Sequence, residues 1–397
     1  MKPALMPLSG ICGADHATAA MLRGNWYEID LDAIRHNYRQ LRGQLPRHVK
    51  VYACLKRNAY GCGAGPVACA LAKEDVDGFA VASVLDAVAI RQEGVSHPLL
   101  LYPGALPVAA PTIQSLDLTV SVSSVDELEQ WRATITRPRI FIKVDLGFFR
   151  AGATPFEACK LLARAAGFAD VQVEGIYAHM SELPTTHTSN AKEQLDRMHA
   201  ILREASVLGL RPAVVMMSST EGVLNHPEMD FDAVDPGALF FGLPDSDRPT
   251  RPVMLRPALK TISASLVSVK RLDASLGPVP GIFGVNPGMT LGVIGMGWGD
   301  GFPRDVPRGA VGLIRGKRAR LLPPAHLEHI RIDLTDVPDA RFGDEVVLLG
   351  RQGNQSITHE EVATLWGTDI VGLYAQLRDH IPRIYAAMQT TKEIPHE

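Results

Sequence analysis

From residue 25 onward, short β-branched apolar runs alternate with segments in which apolar residues return every third or fourth position. This is the pattern of repeated strand–helix units around a buried parallel sheet. In the first helical segment Leu31, Ile34, Tyr38 and Leu41 recur at helical spacing, with Asp30 and Asp32 at its start as cap and dipole partner. The expected strands are Val49–Lys56, Phe79–Ala82, Leu99–Tyr102, Leu118–Val120, Ile140–Val144, Val171–Tyr177, Val214–Ser218 and Ala233–Asp235. Between them, Ser124-Val125-Asp126-Glu127 and Thr154-Pro155-Phe156-Glu157 are helix starts in which a hydroxyl caps and the glutamate can reach back. Eight strands with intervening helices over roughly 220 residues predict an α/β fold of the closed (β/α)8 TIM-type barrel.

The pattern changes after Pro252. Gly, Pro and β-branched runs at Thr261–Val269, Gly292–Gly297, Gly309–Arg315, His329–Leu334 and Glu345–Leu349 predict a C-terminal, mainly antiparallel β domain, ending in a capped helix from Thr358-His359-Glu360-Glu361. The expected organisation is an N-terminal extension over 1–24, a barrel over 25–250 and a β domain over 251–397, without an internal repeat.

Composition narrows the function. Of 397 residues 46% are hydrophobic and 21% charged, which excludes a disordered chain. Forty Lys plus Arg against 43 Asp plus Glu give a net charge of −3 without a block of one sign, which argues against a nucleic-acid or acidic-membrane partner. Five cysteines, Cys12, Cys54, Cys62, Cys69 and Cys159, suit neither a disulfide framework nor a zinc site, so a reducing, cytoplasmic compartment is expected. Pro3, Pro7, Gly10, Asp15 and His16 interrupt the first 24 residues, which lack the apolar stretch of a signal peptide. No 18-residue apolar run predicts a transmembrane helix.

The segment Val51-Tyr52-Ala53-Cys54-Leu55-Lys56-Arg57-Asn58-Ala59-Tyr60-Gly61 places a lysine at the C-terminal end of the first barrel strand, the face on which barrel enzymes build their sites. A desolvated lysine there could form a Schiff base with an aldehyde; a strand-end lysine reaching solvent is the plain alternative. Lys56-Arg57-Asn58-Ala59-Tyr60-Gly61 resembles the K-x-N-A-Y-G signature of the alanine racemase family, pyridoxal-phosphate enzymes with a barrel followed by a β domain. The resemblance continues in order from residue 26 to 385: Trp26-Tyr27-Glu28-Ile29-Asp30-Leu31, Lys143-Val144-Asp145-Leu146-Gly147-Phe148-Phe149-Arg150, Tyr177-Ala178-His179, Ser218-Ser219, Gly237 with Gly242, Gly299-Asp300-Gly301 and Pro382-Arg383.

The resemblance implies roles. Lys56 would carry pyridoxal 5'-phosphate as an internal aldimine and, after exchange to the external aldimine, remove the substrate's α-proton. Tyr60, Ser219 and the N–H groups of Gly237 and Ala238 would hold the phosphate. Arg150 would donate to the cofactor's phenolic oxygen or the substrate carboxylate, Lys143 is a candidate for carbamylation, and His179 would pack near the pyridine ring. No metal is implied. Family members are homodimers with shared active sites, so Trp298 and Leu327 are expected in the neighbouring subunit's substrate pocket.

Departures from the family pattern cluster around the reaction centre. Asp235 stands where the family has an arginine on the pyridine nitrogen, and a carboxylate would keep that nitrogen protonated and stabilise a quinonoid. Trp298 replaces the tyrosine that serves as the second acid/base, and an indole N–H is no base near neutral pH. Ungapped alignment from Pro382-Arg383 puts Asp379 where a phosphate-binding tyrosine is expected, and Leu327-Glu328 replaces Met-Asp. Three activities remain open at this point. The first is an amino-acid racemase or epimerase in which His179, Tyr60 or water replaces the tyrosine. The second is a pyridoxal-phosphate lyase, aldolase or transferase working on one face with Lys56 alone. The third is a cofactor-carrying barrel without catalysis, against which the β domain counts.

Overall fold

The computed structural model describes residues 23–180, 190–243, 249–273, 275 and 284–385. The extension expected over 1–24, apart from its last two residues, and Cys12 lie outside the described residues. The chain divides into two compact units, one of Ala33–Tyr60 with Ala64–Arg256, the other of the segment ending at Asp32 with Gly61–Gly63 and the chain from Pro257.

The first strand, β1 (Asn25–Ile29), corrects the expected division: it belongs to the second unit, not to the barrel. Its five residues are all buried, and it runs antiparallel to one strand of the C-terminal sheet and parallel to another.

The barrel is closed by eight parallel strands, β2 (Lys50–Cys54), β3 (Gly78–Val81), β4 (Leu99–Leu101), β5 (Leu118–Val122), β6 (Arg139–Val144), β7 (Gln172–Ala178), β8 (Val214–Ser218) and β9 (Ala233–Val234), β9 pairing back on β2 through Val51 and Val234. All eight expected strands are present. They were readable because strands covered on both faces must be apolar at almost every position. Tyr52, Ala80, Leu100, Phe141, Tyr177, Val214, Met216 and Ala233 form one buried cluster of residues drawn from these strands. Gly175 is part of this fit: a Cβ there would lie 2.2 Å from the Val214 carbonyl oxygen and 2.6 Å from the Phe141 ring. Gly175→Ala is therefore expected to destabilise the protein by about 1–3 kcal/mol, read as a lowered Tm in a thermal melt.

The expected caps form. Ser124 Oγ accepts from the Glu127 N–H at 3.1 Å, and Thr154 and Thr358 do the same for Glu157 and Glu361 at 3.3 and 3.2 Å. Glu127 reaches back one residue further than the pattern suggests, its Oε2 accepting from the Ser123 N–H at 2.7 Å.

The second unit carries β10 (Leu259–Arg271), β11 (Thr290–Ile294), β12 (Val311–Ile314), β13 (Lys317–Leu322), β14 (Ile330–Asp333), β15 (Glu345–Gln352), β16 (Gln355–Ile357) and β17 (Arg383–Tyr385). With β1 they form one nine-stranded sheet in the order β16-β15-β12-β13-β14-β11-β10-β1-β17, mainly antiparallel, β15 pairing also with β10. Sequence pattern missed β1, β13, β16 and β17. β13 is rich in Lys and Arg and shows only a partial alternation, and its hairpin turns on Arg315 and Gly316, both at positive φ. Among the described residues no helix is long and apolar enough to cross a membrane.

Candidate active site

Lys56 follows β2 after Leu55, and the next four residues form a left-handed turn: Arg57, Asn58, Ala59 and Tyr60 have φ of 57, 53, 52 and 54°. For residues with a Cβ this conformation costs roughly 1–2 kcal/mol each, so the surrounding structure must hold it. The Asn58 N–H donates to Asp86 Oδ1 at 2.9 Å, and Asn58 Oδ1 accepts from the Ala64 N–H at 2.8 Å. Asp86, buried in the first turn of the helix Val84–Gln92, thus anchors the turn.

The turn presents Lys56 and Tyr60 on one side. Lys56 Nζ lies 5.7 Å from the Tyr60 ring centroid, and that ring packs 4.9 Å from Phe241. Tyr60 Oη lies against Gly237, where an added Cβ would come within 2.4 Å of it. Thr220 Oγ1 accepts from the N–H groups of Gly237 and Leu239 at 3.3 Å each. Ser219, at the start of the short helix Thr220–Asn225, makes no side-chain capping bond. Tyr60, Ser219, Gly237 and Ala238 are thus carried by the loops after β2, β8 and β9.

Asp235 follows β9 and is more than a turn residue before Pro236. Its carboxyl group is buried at 4% exposure, Oδ2 accepts from the Tyr102 hydroxyl at 2.7 Å, and Oδ1 has no hydrogen-bond partner among the described residues. Burial lifts its pKa to about 6, against the Tyr102 bond and the charges of Lys143 and Lys56. Lys143 is also buried, its Nζ 4.4 Å from the Tyr177 ring centroid. Burial pulls its ammonium well below the ordinary lysine range and Arg150 adds to this, while Asp235 and Asp145 oppose it.

Around this pair stand aromatic groups that keep their protons. Burial raises the hydroxyls of Tyr102 and Tyr177, and the Tyr102 ring stacks on Tyr177 at 5.9 Å. Ser121 Oγ donates to the Leu101 carbonyl at 2.8 Å, so the 2.6 Å contact between Tyr177 and Ser121 has the phenol donating. Cys54, buried beside them, has its thiol raised by burial. His179 packs 5.6 Å from Phe148; burial first, then Lys143, Lys56 and Arg150, drive its pKa down to about 3, so the imidazole is neutral.

The loop after β6 carries Arg150. Asp145 Oδ1 accepts from the N–H groups of Gly147, Phe148 and Phe149, and Oδ2 from that of Arg150, at 2.7–3.1 Å. Against the raising effect of its partial burial, these four bonds keep Asp145 below the usual carboxylate range. The Arg150 guanidinium lies 4.4 Å from the Phe148 ring centroid and is exposed.

Lys56, Tyr60, Lys143, Arg150, His179, Ser219, Asp235, Gly237 and Ala238 thus all sit at or just after the C-terminal ends of barrel strands. Trp298 and Leu327 are carried by the β unit. There the Trp298 N–H donates to the His326 carbonyl and the Gly299 N–H to the Leu327 carbonyl, both at 2.9 Å, and both side chains are partly exposed, at 38% and 53%. Asp300 organises that turn, accepting from the Gly297 N–H at 3.0 Å and from Arg23 at 2.6 Å. Asp379 belongs to the β unit and pairs with Arg383 at 3.5 Å.

Tyr102, Ser121, Thr220 and Asp86 were not singled out from sequence, and Tyr177 only as part of the Tyr177-Ala178-His179 motif. For Tyr102 a signal existed: it is the last residue of an expected barrel strand, the same position class as Lys56.

Residues 29–245 match the family described as alanine racemase, N-terminal domain, and residues 261–385 match alanine racemase, C-terminal domain. The chain is 32% identical to an alanine racemase of Symbiobacterium thermophilum over 92% of this chain and 97% of the relative, and 33% identical to one of Pseudomonas taetrolens over 90% and 97%. Among solved structures, it is similar to the alanine racemase of Bacillus anthracis with bound L-Ala-P, with a TM-score of 0.82 and 26% identity over 92% of this chain and 96% of that one. It is also similar to the alanine racemase of E. faecalis, with a TM-score of 0.80 and 29% identity over 91% and 98%.

Proposed function

The chain belongs to the alanine racemase family of pyridoxal-phosphate-dependent isomerases, and on that premise we propose that it is an amino-acid racemase or epimerase whose cofactor is held by Lys56. The observation that carries this reading is the convergence of Lys56 and the buried Asp235 at one barrel end. Family membership sets aside the non-catalytic carrier.

The residues present fit the cofactor. Asp235 keeps a buried carboxylate oxygen without a partner, an acceptor suited to a ring N–H, and the bare Cα of Gly237 leaves beside the Tyr60 hydroxyl a space that any Cβ would fill. When bound, pyridoxal phosphate supplies an electron sink that acidifies the substrate's α-carbon.

In this reading the Lys56 amine takes the α-proton on one face, the Tyr60 hydroxyl and the Ala238 N–H bind phosphate with Ser219 and with the Gly237 N–H, which shares its proton with Thr220 Oγ1, and Arg150 binds a carboxylate at the exposed mouth. His179, neutral down to about pH 3, packs as an uncharged ring and is a poor base. Tyr60, whose hydroxyl packs beside Gly237, is assigned in this reading to the phosphate. Of the three replacements for the missing tyrosine, water therefore fits best as the proton donor on the second face. Lys143, whose buried amine is readily neutral, is suited to carbamylation.

Asp235 and Trp298 favour a second reading, a pyridoxal-phosphate lyase, aldolase or transferase working on one face. Incubation with L- and D-amino acids in deuterium oxide separates the two. Exchange with inversion supports racemisation, exchange with retention or bond cleavage supports the second reading, and no exchange or cleavage with any amino acid would sink both.

Two further results are expected. Asp86→Ala frees the Asn58 N–H and with it the strained turn, so the affinity of the apoprotein for pyridoxal phosphate should fall about tenfold, measured by fluorescence titration. Trp298 and Leu327, exposed in the β unit, fit a homodimer with shared sites. Sedimentation at micromolar concentration should give a dimer, and a fully active monomer would contradict it.

A further inference from the structure

We propose that Tyr102 is a positioning residue that pins one oxygen of Asp235 and so keeps the carboxylate ionised with its other oxygen turned to a cationic ring N–H donor. The inference rests on the reading that Asp235 serves the cofactor's ring nitrogen.

The asymmetry of the carboxylate carries it. Oδ2 is taken by the Tyr102 hydroxyl at 2.7 Å, while Oδ1 is equally buried and has no partner among the described residues. An unsatisfied buried acceptor is costly, and its survival beside a satisfied twin points to a donor that arrives with a ligand. A carboxylate free to rotate would present either oxygen. One held by a short bond from a buried phenol presents only one.

Tyr102 is itself fixed. It ends the run that begins with β4, its N–H donates to the Val81 carbonyl at 2.8 Å, and its ring stacks on Tyr177, whose hydroxyl is tied through Ser121 to Leu101. The phenol therefore cannot swing away without breaking a packed layer of aromatic rings.

The direction of the effect follows from what faces the carboxylate. Burial disfavours the anion; Tyr102 from the end of β4, Lys143 on β6 as the unmodified ammonium, and Lys56 after β2 favour it, with neutral Cys54 and Tyr177 completing the surroundings. Tyr102 is a neutral side-chain donor, as the backbone N–H of Asp235 is a neutral main-chain one, so loss of the phenol weakens the anion without altering net charge.

The test uses the full-length holoenzyme reconstituted with pyridoxal phosphate labelled with 15N in the ring, and the apoprotein labelled with 13C at aspartate carboxyls. In the wild type the ring nitrogen should resonate as protonated across neutral pH, and Asp235→Asn should move it to the unprotonated range. Tyr102→Phe should lower the share of ring nitrogen that is protonated at neutral pH, because the proton it shares with the carboxylate moves toward the weakened anion. In the apoprotein it should raise the carboxyl titration of Asp235 by about one unit. Incorporation of 3-fluorotyrosine at position 102, a stronger donor of the same shape, should move both signals the opposite way, and it keeps the inference testable if the phenylalanine variant folds poorly.

If Asp235→Asn shifts the ring signal and neither Tyr102 substitution moves either signal, the role of Tyr102 is overturned while that of Asp235 stands. If Asp235→Asn leaves the ring signal unchanged, Asp235 does not serve the nitrogen, and both the reading and the inference fall.

Discussion

Lys56→Ala is expected to abolish covalent retention of pyridoxal phosphate and to lower turnover by about 10^2–10^4-fold from the loss of proton transfer alone. Its neighbours explain why no other group should substitute. Lys143 is another amine at this end of the barrel, but it is buried against the Tyr177 ring. The left-handed turn brings Tyr60 back toward Lys56, whose Nζ lies 5.7 Å from the Tyr60 ring centroid. Borohydride reduction followed by a peptide map reads the outcome. The adduct should lie on Lys56 in the wild type and be missing in the variant, and a map placing it on Lys143 would remove the basis of the proposed chemistry.

Asp235→Asn should give the second largest loss, about 10- to 100-fold in turnover, with cofactor affinity changed little because the phosphate contacts are made elsewhere. An amide cannot hold a proton on the ring nitrogen as a carboxylate can. Asp235→Arg restores the residue the family pattern places there, and the spectrum of the bound cofactor should change accordingly.

The same variant has a stability signature in the apoprotein. Burial raises the Asp235 pKa from 3.8 to about 6, so between these values the folded state holds a proton that the unfolded chain has released. Its contribution to stability is full below pH 3.8 and is lost as pH rises through about 6. Relative to Asp235→Asn, the wild-type apoprotein should therefore lose stability as pH rises across that window. Parallel melting curves at every pH would show that the carboxyl does not titrate as its burial requires.

Much of the fold was legible because burial on both faces leaves a local imprint. β4 reads Leu-Leu-Leu and β5 Leu-Thr-Val-Ser-Val, and such runs, spaced by capped helices, admit few architectures. β1 was not among the strands expected from the sequence, and the burial of its five residues shows only that it is covered. That its partners are β10 and β17, more than 200 residues away, is settled by which edges remain open once the sheet assembles. β13 failed for the opposite reason: its Lys and Arg positions face solvent and dilute the apolar signal.

The site divides in the same way. Lys56, Tyr60, Lys143, Arg150, His179 and Asp235 could be named from the chain because each lies in a short segment whose neighbours are themselves distinctive. The resemblance read from the sequence also marked the carboxylate at 235 and the indole at 298 as expected departures from the family pattern. Tyr102 became part of the site only through folding: its bond to Asp235 spans 133 residues, and nothing near either residue encodes the other. The pKa values of Lys143, His179 and Asp235 were likewise decided by the tertiary structure, since burial is the largest influence on each and only closure of the barrel creates it.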